Sequence, residues 1–223
     1  MAKSILLAAV MGIPFMVFMI GGVIYLLGTD YWPGWVFGMT FAVFYAVTIY
    51  MFHDKPEFVK QRFNFHGLRW WDKIFFLIFI PSFVAIFVVL VLDVQNNWTG
   101  EIPVILYIAS YIMLLFSMAL MNWSKWVNAF FAAAVRIQKE RRHKVIHAGP
   151  YAIVRHPGYV GGILMYLTIG PVLGSLWAIV PGVIGAIAVI VRTYLEDITL
   201  QKELPGYKAY AKKVRYRLLP GVW

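Results

Sequence analysis

Apolar residues in this chain fall in long unbroken blocks, without the polar positions that give an amphipathic helix its second face. Runs free of Asp, Glu, Lys and Arg extend from Ile5 to Gly28, Gly34 to Phe52, Ile74 to Leu92 and Ile102 to Met121. At about 1.5 Å per helical residue, each is long enough to cross a hydrocarbon layer of roughly 30 Å. Two further runs, Gly158–Leu173 and Ser175–Val191, meet at Gly170-Pro171-Val172-Leu173-Gly174-Ser175. That junction is helix-breaking and uncharged, so the two arms read as a tight helical hairpin. Both arms are short, and the tip is expected to stop within the far headgroup region. The first block exceeds a signal-peptide core and has no small-x-small cleavage site before a polar start, so it is expected to stay as a helix.

The pattern predicts an all-α fold, a polytopic membrane helical bundle of six hydrophobic segments. Composition agrees. Of 223 residues, 61% are hydrophobic and 13% charged, against about 45–50% and 25% in soluble domains. Disorder, a collagen-like chain and an ordinary water-soluble enzyme are excluded. The absence of cysteine removes disulfides, thiol chemistry and iron–sulfur clusters. No repeat of 20–50 residues is evident, so the chain reads as one unit spanning 1–223.

The net charge of +10 alone would suggest nucleic acid or an anionic surface. Its distribution points to topology instead. The N-terminus and the segments 53–73, 123–157 and 192–223 hold 1, 5, 7 and 7 Lys/Arg, which is all 20. The opposite segments, 29–33, 93–101 and the hairpin tip, hold only Asp30, Asp93 and Glu101. The positive-inside rule therefore places both termini and both long loops in the cytoplasm. Trp32, Trp35, Trp70, Trp71, Trp98, Trp123 and Trp126 stand at block edges, where an aromatic belt belongs.

Chemistry has room only on the basic side. The loop around His53, Asp54, Lys55, Pro56 and Glu57 reads as a solvated surface touching anionic headgroups, with Phe58, Phe63, Phe65 and Trp70 available at the interface. His143 and His147 have the i,i+4 spacing of a metal pair. No third ligand lies at a suitable offset and the flanking Arg136–Lys144 segment is strongly cationic, so it reads as a polar helix on the membrane and no metal site is expected.

Arg155-His156-Pro157-Gly158-Tyr159-Val160-Gly161-Gly162, preceded by Gly149-Pro150-Tyr151, carries more. Pro157 suits the first turn of a helix, so Arg155 and His156 fall at a helix N-terminus that favours an anion. The glycines allow a ligand or a neighbouring helix to approach the backbone. A structural role competes: Arg155 snorkelling, His156 capping and the glycines packing helices. Arg192, Glu196 and Asp197 lie at the end of the sixth block. Arg192 and Glu196 share a helix face, and ionisable residues at a membrane boundary are costly unless paired or functional. The hairpin returns them beside His156 and Tyr159, so a binding site at this edge is expected.

Gly149-Pro150-Tyr151, Arg155-His156-Pro157, Tyr159, Gly161, then Arg192…Glu196-Asp197, Leu200, Tyr207, Tyr210, Val214 and Leu218…Pro220 together resemble the isoprenylcysteine carboxyl methyltransferase and phospholipid methyltransferase superfamily. The likeness covers roughly the last 80–90 residues. It implies an integral membrane enzyme that takes methyl from S-adenosyl-L-methionine on the cytoplasmic face and gives it to a lipophilic acceptor from the bilayer. That acceptor is an isoprenylcysteine-like carboxylate, a lipid amine or a hydrophobic thiol; no nucleic-acid or metal partner is implied. Residues 1–122 would then be a four-helix lipid-facing part and 123–223 the cofactor-binding part.

By position, the resemblance assigns Tyr151, Arg155, His156, Pro157, Tyr159, Gly161, Gly162, Glu196, Leu218 and Pro220 to the cofactor, and Arg192 and Glu196 to the reaction centre. The family's usual Glu-Glu is Glu196-Asp197 here. The tail also resembles NADPH-dependent sterol reductases in Val214-Arg215-Tyr216-Arg217-Leu218-Leu219-Pro220-Gly221. Where their pattern has Asn and Asp around the shared Tyr, this chain has Gly158 and Gly162. A small transporter or non-enzymatic membrane protein is a further alternative, although no span interior carries an ionisable residue. The basic stretch Leu200–Leu219 reads as an amphipathic helix on the headgroups or a lid over the cofactor.

Overall fold

The computed structural model describes residues 17–223 except Phe63. Among the described residues there are eight helices and no strand. They are α1 (Val17–Leu27), α2 (Trp32–Phe52), α3 (Pro56–Arg62), α4 (Trp70–Asn96), α5 (Val104–Val127), α6 (Pro157–Val172), α7 (Ile179–Glu203) and α8 (Tyr207–Lys213). Four of them, α2, α4, α5 and α7, are long and apolar enough to cross a membrane. The beginning of the first predicted block lies outside the described residues, and α6 has 16 residues. Large apolar side chains such as Leu77, Ile105, Ile112 and Ile187 point outward, as a surface solvated by lipid requires.

The hairpin closes as its sequence predicts: α6 ends at Val172, Gly174 turns at φ +86°, and α7 begins at Ile179. The two arms meet through Tyr166. A Cβ on Gly182 would lie 2.5 Å from the Tyr166 carbonyl oxygen, and one on Gly185 would lie 2.2 Å from its ring. Tyr166 is fully buried in this slot and donates from its hydroxyl to the Phe79 carbonyl of α4 at 2.9 Å. One side chain thus fixes three helices. Ile86, Leu90, Leu114 and Ile169 continue the core around it.

At the charge-poor end the connections are tied together. Buried Asp93 accepts from the Thr99 backbone N–H at 2.7 Å and from the hydroxyls of Thr99 and Ser175. Thr99 Oγ1 in turn accepts from Leu176 N at 3.0 Å, and the Tyr31 hydroxyl donates to the Leu173 carbonyl.

At the basic end two expectations are corrected. Residues 136–144 are not a surface helix. They form part of a non-helical strap holding one 3₁₀ turn, Lys139–Arg141. Gln138 and Arg141 donate to the carbonyls of Phe130 and Ala129, so polar side chains satisfy the strap's own backbone. The tail is not one helix either. Pro205 and a left-handed Gly206 (φ +84°) separate α7 from α8, and Leu204, Tyr207 and Tyr210 pack on Ile137 and Val145 rather than on headgroups. Of the belt tryptophans, Trp71 is buried while the other six are about half exposed or more.

Candidate active site

The restricted backbone before a proline starts the site. His156, with φ −128° and ψ 58°, stands outside the helical region ahead of Pro157, which leaves its N–H pointing away from α6. The N–H groups of Arg155 and His156 donate to the carbonyls of Tyr216 and Arg217 at 2.9 and 3.0 Å. The C-terminal tail is thereby pinned across the start of α6.

Beneath this pairing lies Asp197 of α7, fully buried. Arg155 donates to both of its oxygens at 2.8 and 3.1 Å, Arg217 at 2.9 Å, Gln201 at 2.8 Å and Tyr207 at 3.0 Å. His156 Nε2 lies 3.4 Å away. The remaining Arg155 nitrogen donates to the carbonyls of Val214 and Arg215 at 2.9 Å. Arg155 is therefore saturated by protein groups, and Asp197 is the anion that joins α6, α7, α8 and the tail.

Its neighbour Glu196 faces a different space. The Tyr159 hydroxyl donates to Glu196, and His156 Nδ1 lies 4.0 Å from the same carboxylate. The His156 and Tyr159 rings are parallel, with centroids 5.6 Å apart. These three side chains line a cavity of about 780 Å³, counting its open mouth. Tyr151, Gly158, Tyr207 and Tyr210 complete the wall made by α6 and α8, while Phe130, Phe131 and Arg136 of the strap form the opposite one. A Cβ on Gly158 would lie 2.5 Å from the Phe131 ring, so glycine is what lets the strap settle there.

Burial raises the phenol pKa values of Tyr151, Tyr207 and Tyr210, which keeps them neutral hydrogen-bond donors. His143 stacks on Phe130 with centroids 4.3 Å apart. Burial, reinforced by the Arg141 charge, lowers its imidazole to about 4.

Arg192 and Glu196 share a helix face but not a partner. Arg192 Nη2 lies 2.9 Å from Asp72 of α4 and donates to the Ala133 carbonyl, and its guanidinium sits 4.2 Å above Phe75. Asp72 also accepts from Val135 N at 3.1 Å. This buried pair holds the strap against α4 and α7, with Arg192 behind Tyr159 at 5.8 Å. On its other side Arg192 edges an apolar groove between α4 and α7.

The structure therefore brings Tyr151, Arg155, His156, Tyr159 and Glu196 onto one cavity. Pro157 begins α6 without lining it. Gly161 is pressed against α5, where a Cβ would lie 2.8 Å from the Ser117 carbonyl, whereas Gly162 faces open space. Leu218 is buried in the tail and Pro220 is exposed. Sequence reasoning missed Asp72 and the strap. The signal for the strap is Phe130-Phe131-Ala132-Ala133-Ala134-Val135, an apolar run inside an otherwise cationic segment. Asp72 offered none, because its partner lies 120 positions away.

Residues 104–202 match the model of the isoprenylcysteine carboxyl methyltransferase (ICMT) family. That match, over 99 of the 223 residues, supports a likeness to the isoprenylcysteine carboxyl methyltransferase superfamily. It runs from the first residue of α5 to the last turn of α7, and so contains the strap, His156, Tyr159, Arg192 and Glu196. It begins earlier than the sequence pattern suggests and stops before Leu218 and Pro220. No curated protein matches the chain. The likeness is to a methyltransferase family, and the long apolar helices suit a membrane protein.

Proposed function

We propose that this protein transfers a methyl group from S-adenosyl-L-methionine to a lipophilic acceptor, with the cavity at the cytoplasmic face of the bilayer. On this reading, 123–223 form the cofactor-binding part and 1–122 the lipid-facing part. The observation that carries it is the His156–Tyr159–Glu196 group on the cavity wall, one side chain away from the lipid-facing groove that Arg192 edges.

The donor set suits the cofactor. Glu196 supplies a carboxylate, and the stacked His156 and Tyr159 rings supply π-faces, both attractive to a sulfonium. Phe130, Phe131 and Tyr210 give an apolar surface for an adenine, and Arg136 gives a cation for a carboxylate. When bound, the cofactor supplies an activated methyl group. The chain's own residues have three tasks. Tyr159 orients Glu196 through its hydroxyl, so the carboxylate keeps one lone-pair direction towards the cavity. The strap, held by Asp72 and Arg192, excludes water and raises the effective strength of these charges. Arg192, held beside Phe75 and Tyr159, favours negative charge on an acceptor arriving from the α4–α7 groove. For an amine acceptor Glu196 takes up the departing proton; a carboxylate acceptor needs no base.

The test is a melting-temperature titration of the purified chain with S-adenosylhomocysteine and NADPH in parallel. A ligand selective for the native state adds about 2.7 kcal/mol at a hundred times its dissociation constant. A saturable rise with S-adenosylhomocysteine alone is expected, and a rise with NADPH alone would transfer the site to reductase chemistry. Glu196→Gln should lower turnover at least about tenfold, roughly 1.4 kcal/mol of barrier.

A further inference from the structure

Another cluster of buried charge lies outside the cavity. Lys125, near the end of α5, is only 8% exposed. No carboxylate lies within 4 Å of its ammonium among the described residues, and residues 1–16 contain no Asp or Glu. Among the described residues its one hydrogen-bond partner is Asn122 Oδ1 at 3.4 Å, and it sits 5.2 Å above the Phe44 ring of α2. Arg62 of α3 also has no carboxylate partner among the described residues, and it acts on Lys125 as a second positive charge. A buried lysine with no counter-anion among the described residues, beside a half-buried arginine, leaves a positive spot.

Through Asn122, Lys125 adjoins the end of a groove. α2 and α5 touch only sparingly, and between them runs an apolar channel open to the bilayer side, about 930 Å³ with its open face. Val36, Met39, Val43 and Val47 of α2 and Leu115 and Ala119 of α5 line it. Asn122 closes its end, held by the Thr48 hydroxyl at 3.1 Å and by Lys125. On α5 the lining positions 115, 119 and 122 continue along one helix face to Lys125.

We propose that the α2–α5 groove is a binding site for an anionic phospholipid, its acyl chain lying along Val36–Val47 and its phosphate at Asn122–Lys125 with Arg62 behind. Charge complementarity selects this occupant. A second copy of the chain would set Lys125 and Arg62 against their own duplicates, and a free anion would leave the apolar wall uncovered. The site stands apart from methyl transfer and does not depend on it.

The test uses the full chain, delipidated in detergent micelles and titrated with phosphatidylglycerol or phosphatidylcholine. Bound lipid is read by native mass spectrometry and stability by melting temperature. The wild type should retain one phosphatidylglycerol with at least a tenfold preference, and its melting temperature should rise to saturation. Lys125→Met should bring that preference to within about twofold. Ala119→Trp fills the groove but keeps the charge, and should abolish retention even if Lys125→Met fails to fold. Its melting shift with S-adenosylhomocysteine should be unchanged, which separates this site from the cavity. Equal retention of the two lipids by the wild type would overturn the proposal. So would an unchanged preference in both variants, complete displacement by inorganic phosphate, or a dimer of the delipidated chain that Ala119→Trp dissolves.

Discussion

Replacing Asp197 by alanine isolates the cost of losing the anion that joins four elements. Five donor groups converge on this carboxylate, and the bidentate partner Arg155 is itself buried, so its guanidinium loses its anion where little solvent replaces it. Removing one member of a buried ion pair costs about 3–5 kcal/mol. For a chain of this length each kcal/mol lowers the melting temperature by about 2–4 °C, so a fall on the order of 10 °C is expected. Arg217→Met, which removes a partner with a 21% exposed side chain and leaves Asp197 paired to Arg155, should cost only about 1.5 kcal/mol. The second readout is local. Losing Asp197 frees residues 204–223 from α6, so trypsin should cut at Lys212 and Lys213 well before the transmembrane helices. An Asp197→Ala protein within about 1 kcal/mol of wild type, with tail protection intact, would refute the reasoning and reduce Asp197 to one contact among many.

Two other perturbations test different parts of the molecule. Gly185→Val should drive the α6–α7 hairpin apart, because even a Cβ would lie 2.2 Å from the Tyr166 ring; a loss of about 3 kcal/mol or more is expected in chemical denaturation. His143, with its pKa lowered in the folded state to about 4, takes up a proton first in the unfolded chain. Its contribution is complete above about pH 6.5 and is lost as pH falls towards 4, so the melting curve of His143→Gln should be flatter than wild type over that window.

Hydropathy made the helices legible but not their ends. The charge-free runs Ile74–Leu92, Ile102–Met121 and Ser175–Val191 each miss the charged end of their helix, because α4, α5 and α7 extend to include Asp72, Lys125 and Arg192–Asp197. Those overhanging turns are where the site is built, since a charged residue can stay on a transmembrane helix only where it finds a partner. Short-range chemistry was legible too: His156-Pro157 announced both the start of α6 and the group beside it. Long-range pairing was not. The i,i+4 spacing of Arg192 and Glu196 suggested one unit, yet Arg192 turns to Asp72 and Glu196 to Tyr159. The strap was misread as a helix because its cationic pattern is local, whereas the bonds that unwind it run from Gln138 to Phe130 and from Asp72 to Val135.

The knot of Asp93, Thr99, Ser175 and Tyr31 at the charge-poor end has a mechanical consequence. With the α4–α5 and α6–α7 turns fastened there, the helices behave as prongs of a fork held at the handle. A tilt of ~10° about that handle moves the free tip of a ~30 Å helix by ~5 Å and its middle by about half as much, so the largest displacement falls on the cavity and its strap. Loosening the handle by Asp93→Ala should spread the same motion through every helix it now restrains.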